Sequence, residues 1–150
     1  MPAFITFGRI LFAVLFIYSG ATKLFGIPAA AESIAAKVAI PELLLPYAAQ
    51  LQTLTGMPTA QTLAIAAGGF EVIAGLMIAL NFGARFFSIL LIFFVGAATF
   101  YFHDFWNQAS PSDGRMLTDA LKNVSIIGAL FMIAGHGRRT SEVESAYGEV

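Results

Sequence analysis

The chain has 150 residues, with 11% charged against 58% hydrophobic and a net charge of −1. A soluble domain carries about 25% charged residues, so this balance describes a single small domain that lives in lipid. The near-neutral charge excludes the basic stripe of a nucleic-acid binder, and the absence of cysteine removes disulfides, thiolate nucleophiles and cysteine-ligated clusters.

The first predicted span is 4–22. Its start resembles a signal peptide, with Ser19-Gly20-Ala21 as a small-residue site, but no basic residue precedes the apolar run. It is read as a retained span. Only 13 uncharged residues separate Arg9 from Lys23, about 20 Å of helix, too short to cross the hydrocarbon core. At 100° per residue Arg9, Ala13, Phe16, Gly20 and Lys23 share one face. Lys23 is expected to snorkel to the far interface, and Arg9 either snorkels to the near one or is buried.

From Leu24 to Thr59 the chain is punctuated by Pro28, Pro41, Pro46 and Pro58, each of which interrupts a helix. Two short helices, Pro28–Ile40 and Glu42–Leu54, are expected at the interface or as a re-entrant segment.

The second span, 60–80, holds one charge, Glu71, near its middle. A carboxylate there is costly, so it needs a partner or a proton. Ala64, Ala67, Gly68, Glu71 and Gly75 lie on one helical face, and small residues let a second helix approach. Glu71 therefore points into a helix contact. Arg9 is the first choice of partner, because a guanidinium stays charged and offers a fixed fork of donors; Lys122 and Asn123 are the other candidates.

Asn81–Arg85 is a tight turn, with Arg85 explained by snorkelling and topology setting. The third span, 86–102, is rich in phenylalanine and ends in Tyr101-Phe102-His103-Asp104-Phe105-Trp106, an interfacial aromatic cluster. Its aromatic stripe reads as lipid-facing or core. His103 suits proton exchange at the membrane surface, or serves as a solvated anchor. A polar loop, Asn107–Met116, leads to the fourth span, 117–134. Asp119 and Lys122 can bridge on one helix face, and Asn123 is placed to hydrogen-bond across helices. Gly135-His136-Gly137 is expected to stop the helix before a polar tail, 137–150.

The fold class that follows is an all-α, four-transmembrane-helix bundle with short interfacial or re-entrant helices between spans one and two. Both termini fall on one side, which Arg85, Arg138 and Arg139 favour as cytoplasmic. With no cysteine an iron–sulfur cluster is not expected, and with His103 and His136 as the only histidines neither is haem. No phosphate loop, serine elbow or metal-ligand spacing appears.

The ordered set Arg9…Ser19-Gly20…Lys23-Leu24, Gly56-Met57-Pro58, Gly69-Phe70-Glu71…Gly75, Gly83-Ala84-Arg85, His103-Asp104-Phe105-Trp106 and Lys122-Asn123…Gly128…Gly135 resembles the DoxX family of small bacterial inner-membrane proteins. One departure is Ala74-Gly75, where many members carry a glycine pair. The resemblance implies a multi-pass inner-membrane subunit, similar to DoxD-type small subunits of thiosulfate–quinone oxidoreductase and to members linked to redox-stress complexes. It implies a protein partner beside the bilayer. It also makes Arg9, Glu71, His103 and Lys122, joined by Asn123, the candidate quinone contacts. Two readings follow: an accessory subunit of a quinone-linked complex, not active alone, with Glu71 exchanging protons, or a non-catalytic scaffold whose charges are structural.

Overall fold

The computed structural model describes residues 2–104 and 114–147, with side chains described for 3–104 and 114–136. Phe105, Trp106 and most of the expected polar loop lie outside the described residues. Six α-helices are found among those described, and no strand: α1 (Pro2–Phe25), α2 (Ile27–Lys37), α3 (Leu45–Thr55), α4 (Thr59–Ala79), α5 (Ala84–Phe102) and α6 (Arg115–Tyr147). Four stretches are long and apolar enough to cross a membrane: Ala3–Phe25, Thr59–Ala79, Ala84–Phe102 and Arg115–His136. These are the four expected spans, with small shifts at their ends.

The chain divides into two compact units, Val14–Gly75 and Met1–Ala13 with Leu76–Val150. In the first unit, α1 and α4 meet at two glycines. A Cβ on Gly20 would lie 2.5 Å from the Gly68 carbonyl oxygen, and one on Gly68 would lie 2.9 Å from that of Gly20. Gly20 also faces Val72 while Gly68 faces Leu24, so the two helices run antiparallel. Opposed glycines of this kind let two backbones touch. On this register the first two turns of α4, about 12 Å of helix, run on past the end of α1.

The intervening segment belongs to the same unit. Gly26 caps α2, with Pro28 in its first turn, where a missing N–H costs nothing. Ala31 and Ile34 are its buried side chains. A 3₁₀ turn over Glu42–Leu44 then leads into α3, which ends on Gly56 in the left-handed region at φ 67°. The Thr59 hydroxyl at the head of α4 donates to the Ala48 carbonyl of α3 at 3.4 Å. At 11 residues each, α2 and α3 are about 16 Å long, half of what a bilayer requires.

In the other unit, α4 passes into α5 through a Schellman motif. The Phe82 N–H donates to the Met77 carbonyl at 2.9 Å and the Asn81 N–H to that of Ile78 at 3.1 Å, with Asn81 left-handed at φ 57°. Gly83, at φ 59°, then starts α5. Ala84, Ser88, Leu91 and Val95 form the buried face of α5, and α5 packs along α6. Phe86, Phe93 and Phe100, seven residues apart, are exposed, which makes the phenylalanine stripe lipid-facing.

The helix expected to stop at Gly135 instead continues to Tyr147. A glycine within a helix costs about 1 kcal/mol relative to alanine; it ends the helix only where the backbone turns left-handed, and the residues beyond it include the good helix formers Arg138, Arg139, Glu142, Glu144 and Ala146.

Candidate functional site

Glu71 lies on the face of α4 formed by Ala64, Gly68, Ala74, Gly75 and Ile78, all buried, with Ala67 half-buried at its edge. The residue is 5% exposed. Its carboxylate is met by Lys23, not Arg9: Lys23 Nζ donates to Glu71 Oε2 at 2.8 Å. The same ammonium donates to the Ser19 hydroxyl at 2.8 Å and to the Ser19 carbonyl at 3.4 Å. Three acceptors match the three protons of an ammonium. Lys23 therefore turns back along α1 and across to α4 instead of reaching for the far interface.

The basic face of α1 is as the spacing predicts. Ala13, Phe16 and Gly20 are buried, and Arg9 and Lys23, at the two ends of that stripe, are half-buried. The choice of Arg9 as partner fails because the spans are not flush. The overhang of α4 brings the end of α1, and Lys23 with it, level with Glu71.

The other candidates have separate settings. Lys122 pairs with Asp119 at 3.0 Å on an exposed face of α6, the i,i+3 bridge expected from the sequence. Asn123 donates from Nδ2 to the Thr99 hydroxyl of α5 at 2.9 Å, and Thr99 donates onward to the Val95 carbonyl at 2.7 Å. The cross-helix bond of Asn123 is thus present; Thr99 was its unmarked partner, one of several helix threonines with nothing in the sequence to single it out. His103 caps α5, its backbone N–H donating to the Thr99 carbonyl at 2.9 Å.

Arg9 lines a cavity of about 680 Å³ together with Arg85 and His136. Neither Glu71 nor His103, Lys122 or Asn123 is among its lining residues. The cavity draws on the start of α1, the α4–α5 turn at Asn81 and Gly83, and the stretch Ala129–His136 of α6, with Phe12 and Ile133 among its apolar walls. Sequence reasoning missed this grouping, having treated Arg85 as a topology marker and His136 as part of a helix stop. The signal was there: four spans with both ends on one side bring Arg9, Arg85 and His136 to the same membrane face.

Four membrane-length helices with a buried acid–base pair between α1 and α4 define a small multi-pass membrane protein. The DoxX family model matches residues 4–104, and the chain belongs to the DoxX family, small inner-membrane proteins. It is 28% identical over 133 residues to the inner membrane protein YphA of Escherichia coli (strain K12), covering 89% of this chain and 82% of that protein. No solved structure matches it.

Proposed function

We propose that this protein is an accessory inner-membrane subunit of a quinone-linked redox complex, inactive alone, with Glu71 and Lys23 as its polar centre. The observation that carries the reading is a gradient of exposure across one ion pair. The Glu71 side chain is 7% exposed and that of Lys23 30%, so a carboxylate inside a helix contact is linked through a single ammonium to the outside. Quinone reduction takes up protons with electrons. An ammonium can donate to a quinone oxygen, and a neighbouring carboxylate can hold the proton that follows. Electron transfer belongs to a partner subunit. The redox setting is what the resemblance to DoxD-type small subunits implies, and the expected cytoplasmic placement of both termini is part of the same proposal.

The test is Glu71→Gln in the complex copurified in mild detergent. The amide keeps the shape and an acceptor for Lys23, and Lys23, partly exposed, can still reach water. The variant is therefore expected to fold and assemble normally while quinone-linked turnover is lost. Full turnover per assembled complex overturns the reading.

A second reading, a non-catalytic scaffold, is favoured by the Gly20–Gly68 contact one turn from the pair. In that case the ion pair fastens a helix crossing, and Glu71→Gln changes thermal stability without changing turnover.

A further inference from the structure

We propose that the cavity at Arg9, Arg85 and His136 is a binding site for the phosphate of an anionic membrane phospholipid, independent of the quinone reading. Two arginines line it, and among the described residues no acidic residue does. Among the described residues neither arginine has an ion-pair partner. The polar contact of Arg9 is one long bond to the Thr6 hydroxyl at 3.5 Å, and its Nε is buried without an acceptor. A buried guanidinium nitrogen without an acceptor carries a desolvation cost that an anion would remove.

The geometry selects the anion. Guanidinium forks match the oxygens of a phosphate, two at a time. Ala84 and Arg85, which also line the cavity, form the first turn of α5. The free N–H groups and positive dipole end of that 19-residue helix favour a negative charge. Asn81 and His136 are polar residues of the same lining. Phe12, Met132 and Ile133 supply an apolar wall, which a free phosphate would leave unused and an acyl chain would cover. The volume of about 680 Å³ lies within the usual range of small-molecule sites. A basic pocket between membrane helices is a recurrent form of lipid headgroup site. A neutral quinone would leave both cations uncompensated.

The experiment uses the full chain, delipidated in detergent and titrated with mixed micelles of phosphatidylglycerol, of phosphatidylcholine, or with inorganic phosphate alone. Native mass spectrometry and thermal unfolding are the readouts. Phosphatidylglycerol is expected to be retained at one lipid per chain and to raise the unfolding temperature, while phosphatidylcholine does neither. Arg9→Gln with Arg85→Gln should weaken retention at least about tenfold, the loss expected on removing charge-assisted forks. Lys37→Gln, which removes a cation elsewhere, should retain lipid as the unaltered chain does. Should the double variant fail to fold, Arg85→Lys takes its place; it keeps the charge but not the fork, and is expected to bind more weakly. Equal retention of phosphatidylcholine, or unchanged retention in the arginine variants, overturns the proposal. Saturable stabilisation by inorganic phosphate matching that by phosphatidylglycerol also overturns it, in favour of a soluble anion.

Discussion

Lys23 and Glu71 each stand three residues beyond a glycine at which their helices touch, Lys23 after Gly20 and Glu71 after Gly68, and their charged atoms are 2.8 Å apart. Close backbone contact and ion pairing are therefore one feature. The glycines bring the helices near enough for the ammonium to reach the carboxylate while still bonded to Ser19.

The two partners should respond unequally to removal. Lys23→Met leaves a buried carboxylate without its base, which costs about 3–5 kcal/mol or forces the acid to take up a proton. Glu71→Gln leaves a partly exposed ammonium that finds water, and should cost much less. A cycle of Lys23→Met, Glu71→Gln and the double variant, read by thermal unfolding in detergent, checks this. Equal losses from the two single changes would contradict the asymmetry of burial.

The glycines make a sharper contrast. Gly20→Ala and Gly68→Ala put a methyl group against backbone and should each destabilise by about 1–3 kcal/mol or more. Gly69, adjacent in sequence, has nothing within 4 Å of its Cβ position. Gly69→Ala should be neutral, or stabilising by up to about 1 kcal/mol through helix propensity. Unfolding midpoints of the three variants, measured side by side, decide the point.

Thr99 and Asn123 join α5 to α6 by one side-chain bond. Removing either partner, as Thr99→Val or Asn123→Ala, should cost about 1 kcal/mol, with a coupling energy near 0.6 kcal/mol, the average for bonds of this kind in membranes. Coupling indistinguishable from zero would mean that the bond adds nothing to the packing of these helices.

Topology is open to a direct assay. Reporter tags at the two termini should give the same compartment, and that compartment should be the cytoplasm. Opposite signals from the two ends would remove one of the four spans.

The faces of the helices were legible in the sequence, whereas their relative heights were not. Periodicity alone placed Arg9, Ala13, Phe16, Gly20 and Lys23 on one side of α1, and Glu71 among small residues on α4. Period says which way a side chain points and nothing of how far one helix slides along another. Without the helix heights, Lys23 was assigned to the far surface by snorkelling and Arg9 was favoured on guanidinium chemistry alone. The overhang of α4 past α1 reverses that choice. The Asp119–Lys122 bridge was readable because it is local, lying within one turn. The cavity at Arg9, Arg85 and His136 was missed because its members lie far apart in sequence, in three different elements, and only the shared membrane face of the topology links them.

The order of the ion pair along the chain has a bearing on how the protein is made. Forty-eight residues separate Lys23 from Glu71, so the base leaves the ribosome well before the acid. Lys23, two residues from the end of α1, can wait with its ammonium in water at the membrane surface, as long basic side chains do. Glu71, in the middle of α4, has no such refuge. When α4 enters the bilayer, α1 is already there and offers both a glycine to dock against and a cation to neutralise the charge. An arrangement with the acid in the first helix and the base in the later one would leave a lone carboxylate stranded in lipid during synthesis.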